Sequence, residues 1–223
     1  MKSRSPWLTD TPNPKPSLAV QLACLDLEGV LIPEIWINVA QKTGIDELLV
    51  TTREIPDYDE LMTRRLGILR EHGVTIRDFQ EVIEGLSPLE GAKEFLDWLK
   101  SEFQVIILSD TFYEFSKPLM RQLDFPTLFC HKLEIDEGGN VTDYHIRMPD
   151  PKREAVKRFH EINFQVIAAG DSYNDTTMLS EADRGILYCP PQNVIDEFPQ
   201  FPVATDYAEL RSEFEKARGD LQG

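Results

Sequence analysis

The chain has little cysteine, no long apolar run and a shortage of positive charge, and each shortage removes a class of function. Its 223 residues hold three cysteines, Cys24, Cys130 and Cys189, far apart and without a CxxC pair. An odd, scattered set makes neither a disulfide framework nor a zinc site. Each cysteine has apolar sequence neighbours and reads as a reduced core residue of a cytoplasmic protein. Cys130 precedes His131, but neighbours on a strand point to opposite faces, so the two do not read as a thiolate pair. No stretch approaches the roughly 18 apolar residues of a membrane span, and no hydrophobic signal core opens the sequence. Lys and Arg number 23 against 39 Asp and Glu, a formal net charge of −16. That deficit argues against nucleic acid, whose phosphates are bound by excess basic side chains, and against an anionic membrane. A small phosphorylated ligand stays allowed, because one cation and a few local basic groups reverse the field inside a cleft.

What is present is an ordinary globular composition, 41% apolar and 28% charged, long enough for one domain with a sizeable core and a small insertion. Residues 1–17 carry four prolines and little apolar material and are expected to form an extended arm. Leu18 to Leu25 is the first strand. Ile35, Val39 and Ala40, closed by Gly44, predict a short helix. Residues 45–86 are helical in pattern, with Asp57 as a helix cap and Thr75 with Asp78 as a capping box. Glu90 to Ser101 is an amphipathic helix and Gln104 to Leu108 a buried strand ending at Ser109-Asp110-Thr111. A helix from Tyr113 to Leu123 precedes a hairpin, Leu128 to Ile135 and Val141 to Ile146, turning at Gly138-Gly139-Asn140. Pro151 opens a helix to Ile162. Gln165 to Ala169 is another buried strand, with a helix to Ala182, a short strand from Gly185 to Tyr188 and a last helix from Tyr207 to about Ala217. Strands alternating with helices imply an α/β fold with a doubly wound parallel sheet. The expected division is a core of residues 18–33 and 87–223 with a small helical cap, residues 34–86, inserted into it.

The chain is organised around Gln21 to Pro33, where an apolar strand runs into Asp26-Leu27-Glu28-Gly29-Val30. Two carboxylates at i and i+2 on a buried strand end cost desolvation and mutual repulsion, which a cation between their oxygens relieves. Taken alone, D-x-E-G is more often an acidic turn, so the remaining strand ends decide. In an open parallel sheet the ligand site lies at the carboxyl ends of the strands. Three buried strands end in Asp26/Glu28, in Ser109, and in Asp171 with Asp175, while Lys152 starts the helix leading to the third. These are the parts phosphoryl transfer needs: a nucleophile, a cation, and donors around the equatorial oxygens. Arg65 stands out separately. It falls near the middle of an apolar helix face marked by Tyr58, Leu61, Met62, Ile68 and Leu69, with no acid four residues away to pair it. An external carboxylate and a snorkelling head group are the two readings of that position.

DLEGV, Ser109, Lys152 and GDSYND resemble the four motifs of the haloacid dehalogenase superfamily of Mg²⁺-dependent phosphotransferases, over nearly everything after the arm. The inserted helices and SPLEGA are similar to the phosphoserine phosphatase branch. DLEGVLIPEIW, IPDYDELM, LSDTFYEFSKPLMRQL and AAGDSYNDTTMLSEA are similar to its bifunctional phosphoserine phosphatase/homoserine phosphotransferases. The resemblance implies Asp26 as nucleophile and Glu28 as general acid/base. It implies Mg²⁺ held by Asp26, Asp171 and the Glu28 carbonyl, with Asp175 supporting its water shell. Ser109 and Lys152 would hold the phosphoryl oxygens, Asn174 would line the site, Glu34 would meet the substrate ammonium, and Arg65 would clamp its carboxylate. Tyr58, Asp110 and Thr111 are the further substrate-binding candidates. The implied substrate is O-phosphoserine, with water or homoserine as second acceptor; monomer and homodimer both stay open. A phosphatase for another small phosphomonoester is the alternative. A phospho-accepting receiver module fits less well, because here the Asp ends the first strand and a roughly 40-residue helical insertion follows it. In two places the chain departs from the family: Glu28 replaces the usual Asp, and Asp110-Thr111 stand where two glycines are common.

Overall fold

The computed structural model describes residues 20–51, 54–55 and 57–222; the arm expected over residues 1–17 lies outside them. The chain begins with β1 (Val20–Leu25) and continues through α1 (Ile35–Thr43), α2 (Tyr58–His72), α3 (Ile76–Glu84) and α4 (Ala92–Glu102). Next come β2 (Gln104–Phe112), α5 (Tyr113–Gln122), β3 (Thr127–Ile135), β4 (Val141–His145) and α6 (Pro151–Glu161). It closes with β5 (Phe164–Gly170), α7 (Thr176–Glu181), β6 (Arg184–Tyr188), α8 (Gln192–Glu197), β7 (Val203–Ala204) and α9 (Tyr207–Gln222). Seven strands form one sheet in the order β4-β3-β2-β1-β5-β6-β7. All neighbours run parallel except β3 and β4, which form the antiparallel hairpin. The α/β expectation holds.

The core follows from the two-residue period of the strands. Ala23 and Leu25 of β1 belong to one buried cluster, with Ile107, Ile167 and the helix residues Phe95, Leu96 and Phe214. Leu22 and Cys24 face the other way, into a cluster with Leu108, Val166, Val156 and Met178. Alternate residues thus reach opposite faces, and both faces are covered by helices, which is why these strands read as continuous apolar runs. Each fully buried Leu, Ile or Phe contributes on the order of 1.5–3 kcal/mol. Central placement sets the end of β1 between the ends of β2 and β5.

Local signals set most boundaries. The Asp57 side chain accepts from Glu60 N–H at 2.9 Å, and α2 stops at Gly73 in the left-handed region (φ 65°). Thr75 and Asp78 make their capping box. Two expectations need correction, and two elements were not expected at all. First, β2 does not stop at Leu108 but runs through Ser109-Asp110-Thr111 to Phe112. Its pairing with β3 resumes, after a register shift, at Phe112 opposite His131, and Phe112 is fully buried. Second, Cys24 and Cys130 are buried, but Cys189 is exposed. It follows β6 with positive φ (45°), where the chain leaves the sheet. The two unexpected elements, α8 and β7, carry too short an apolar pattern to be read, although Pro191 stands at the N-cap of α8.

Candidate active site

The backbone of Asp26 is still held in the sheet, its N–H donating to Ala169 C=O at 2.9 Å. The loop then turns back on itself, with Leu31 and Ile32 N–H both donating to Leu27 C=O at 2.8 and 3.0 Å. Gly29 has φ +76°, and a Cβ there would lie 2.5 Å from the Asp171 carboxyl carbon. A Cβ on Gly170 would lie 2.4 Å from Asp175 in the same way. Both glycines are therefore needed to let backbone approach carboxylate. The result is that Asp26, Asp171 and Asp175 offer carboxylate oxygens within 4.8 Å of one another.

Lys152, second residue of α6 and 3% exposed, faces this group. Its ammonium lies 2.7 Å from Asp175 Oδ1, 2.9 Å from Asp26 Oδ2 and 3.3 Å from Asp110 Oδ2. Asp175, fully buried, also accepts from Asp171 and Ser172 N–H at 3.0 and 3.2 Å, so it fixes the loop as well as the lysine. One ammonium among several buried carboxylates leaves an excess of negative charge. Burial, then Asp175, pushes Asp26 well above the usual carboxylate range despite Lys152. Burial and Asp175 push Asp171 up to about 7. Burial and Glu34 push Glu28 up to about 8. A divalent cation fits this donor set, since hard oxygen ligands bearing unneutralised charge are what such an ion requires.

Above these groups is a cavity of about 280 Å³. Asp26, Glu28, Asp171, Ser109, Lys152 and Asn174 line it. Glu34, Tyr58, Arg65, Asp110 and Thr111 complete the predicted set around it; of that set only Asp175, fully buried against Lys152, is not on its wall. Glu28 reaches the start of α1, accepting from Ile35 N–H at 2.8 Å. The Ser109 hydroxyl accepts from Thr111 N–H at 3.2 Å. Tyr58 O–H donates to the Asp110 carbonyl at 3.1 Å, and Asn174 Nδ2 to Asp110 Oδ2 at 2.8 Å. Burial tends to raise the Asp110 carboxyl, but Lys152, His131 and Asn174 outweigh it and hold Asp110 well below the usual range.

Arg65 is the second buried cation, 7% exposed. Its guanidinium lies 4.3 Å over the Trp36 ring, and Nη2 donates to Val50 C=O at 3.1 Å. Its Nε has no hydrogen-bond partner. Burial, opposed by Tyr58 and Glu28, lowers it to about 10. Buried donors are nearly always paired, so the arrangement leaves room for a further acceptor at this end of the cavity.

Sequence reasoning missed Trp36, Ile37, Thr51, Leu61 and Ser172 on the cavity wall. It weighed His131 only against Cys130. His131 is 2% exposed, with its Nε2 3.5 Å from Asp110 Oδ1. The available signal was a histidine inside an apolar strand, at a position whose partner across the sheet could be seen only once β2 was extended.

A model of the haloacid dehalogenase-like hydrolases matches residues 20–183. The chain belongs to that family. It is 65% identical over 198 residues to phosphoserine phosphatase ThrH of Pseudomonas aeruginosa, covering 89% of this chain and 97% of that one. It is 63% identical over 199 residues to a phosphoserine phosphatase of Pseudomonas syringae pv. tomato, covering 89% and 84%. Among solved structures, a substrate-bound phosphoserine phosphatase complex aligns with TM-score 0.73 at 19% identity, over 88% of this chain and 98% of that one. A phospho-aspartyl intermediate analogue of phosphoserine phosphatase aligns with TM-score 0.72 at 19% identity, over 87% and 98%; both likenesses speak to the fold.

Proposed function

We propose that the chain is a phosphoserine phosphatase working through an aspartyl-phosphate on Asp26, with homoserine as an alternative acceptor to water. One observation carries the reading: the cavity joins a buried carboxylate group facing Lys152 to a buried arginine with an unpartnered Nε. Those two ends suit the phosphate and the carboxylate of one small molecule. Residues 34–86, bearing Glu34, Tyr58 and Arg65, are read as the cap that closes over it.

Asp26, Asp171 and the Glu28 carbonyl would hold Mg²⁺, with Asp175 behind them. When bound, that ion supplies charge neutralisation for the phosphoryl oxygens and for the carboxylates. An oxygen of ionised Asp26 attacks phosphorus as the bond to the serine oxygen breaks, and Glu28, protonated, gives that oxygen its proton. The Ser109 hydroxyl and Lys152 ammonium donate to the equatorial oxygens. In the second half a water or alcohol oxygen attacks phosphorus, Glu28 takes its proton, and the Asp26 carboxylate is released. Arg65 clamps the amino-acid carboxylate in a two-point geometry and Glu34 meets its ammonium. Among the described residues no helix is long and apolar enough to cross a membrane.

The test is a panel of phosphomonoesters assayed in Mg²⁺ with and without homoserine. Phosphoserine should be the best donor, and added homoserine should divert phosphate into phosphohomoserine. Preference for another ester would replace the substrate, and a long-lived phosphoprotein without turnover would replace the enzyme by a switch.

A further inference from the structure

Asp110 occupies an unusual position for a side chain on the wall of a phosphate site. Its Oδ2 takes Asn174 Nδ2 at 2.8 Å and faces Lys152 Nζ at 3.3 Å. Its Oδ1 faces His131 Nε2 at 3.5 Å. His131 is oriented from behind, its Nδ1 accepting from Arg147 N–H at 3.2 Å, so Nε2 carries the hydrogen and points at the carboxylate. Three donors therefore converge on an anion that the chain itself provides. Two of the three, Lys152 and Asn174, line the reaction cavity.

An ammonium has three protons, and those of Lys152 meet three carboxylates. The contacts to Asp175 and Asp26 are the shorter ones, and both partners are almost fully buried. Asp110 is the longest contact, and its side chain is 29% exposed. A phosphoryl oxygen that needs Lys152 must displace one partner, and Asp110 has the longest contact to the ammonium and the most exposed side chain of the three. Room for it exists on the far side. A second cavity of about 760 Å³, lined by Asp110 and His131 with Met148, Pro149, Asn193 and Val194, adjoins the first across this residue.

We propose that Asp110 is a resident anion that competes with the phosphoryl group for Lys152 and Asn174, and so sets how weakly this site holds free phosphate. It makes Asp110 a specificity-determining residue: an ester held also by Arg65 displaces it, whereas inorganic phosphate, without that second anchor, is at a disadvantage. The inference rests on the proposed phosphatase reading for its biological sense, but phosphate binding itself requires no turnover.

Orthophosphate binding is measured by isothermal titration calorimetry on the full chain in saturating magnesium chloride, comparing wild type, Asp110→Asn and Asp110→Ser. Removing a carboxylate this close to the incoming anion should tighten orthophosphate by roughly ten- to a hundredfold. Asp110→Ser carries the same expectation should Asp110→Asn not fold. Unchanged or weaker binding in a folded variant overturns the proposal, because it would mean that Asp110 holds Lys152 for the phosphate instead of opposing it. So would an orthophosphate complex in which Asp110 still touches Lys152. Failure of wild type to turn over phosphoserine would overturn the enzymatic reading and leave the order of phosphate affinities to decide this one.

Discussion

Arg65→Met should make the ligand-free protein more stable and the enzyme much worse. Burial lowers the guanidinium from its ordinary 12.5 to about 10, so holding the charge there costs about 3 kcal/mol. Its Nε–H finds no acceptor, which is consistent with that cost. Methionine is similarly long, fills the same space and brings no polar atom that needs a partner. Against this stand the contact with Trp36 at 4.3 Å and the bond to Val50, worth together about 2 kcal/mol. The net expectation is a gain of roughly 1 kcal/mol, or about 2–4 °C in melting temperature for a chain of this size. Two charge-assisted bonds to the substrate carboxylate are worth roughly 3 kcal/mol, so kcat/KM for phosphoserine should fall by about a hundredfold. Phosphoethanolamine lacks that carboxylate and should be turned over at a nearly unchanged rate. Differential scanning fluorimetry and steady-state assays on both esters give the two readouts. A lower melting temperature, or equal losses on both substrates, would refute the reasoning and make Arg65 a structural residue.

Other expectations follow from the same geometry. Asp26→Asn should abolish turnover with the fold intact, and mass spectrometry of quenched wild type should map the phosphate to Asp26; a label elsewhere would reassign the nucleophile. Glu28→Asp shortens the acid/base by one methylene, about 1.5 Å, and should raise the ratio of free phosphate to phosphohomoserine with both acceptors present, whereas proportional scaling of both rates would exclude Glu28 as the selector. Asp171 and Glu28 are raised on folding from 3.8 and 4.5 to about 7 and about 8, so the folded state binds protons the unfolded state releases. The stability of the metal-free chain should therefore be greatest below about pH 4 as far as these groups decide it, and fall as pH rises to about 8. Added Mg²⁺ should raise the melting temperature more at the alkaline end of that window; a pH-independent increment would count against carboxylate ligation.

Much of the site was legible because its chemistry sits at the ends of strands whose burial the sequence announces. QLACL, QVIIL and QVIAA are apolar on both faces, and in a parallel sheet such strands can only be central. Their following residues must then share one edge, which is how Asp26, Ser109 and Asp171 came together without any contact being known. Arg65 was legible for another reason: a charge within an apolar helical face is costly enough to demand a partner. Helix ends were set by local chemistry, as with Asp57, Gly73 and the Thr75–Asp78 box.

The illegible part has a physical pattern too. Ser109-Asp110-Thr111 read as the end of the strand because polar residues usually end a buried one. Here, however, β2 carries them onward, past a register shift, to a buried Phe112. Asp110 lies where the pairing with β3 lapses, its carbonyl bonded by Tyr58 from α2, and the pairing resumes with Phe112 opposite His131. Only pairing between β2 and β3 could reveal that a histidine some 20 residues later would stand behind the aspartate. Tertiary register, not local propensity, therefore decides which charged groups reach Lys152.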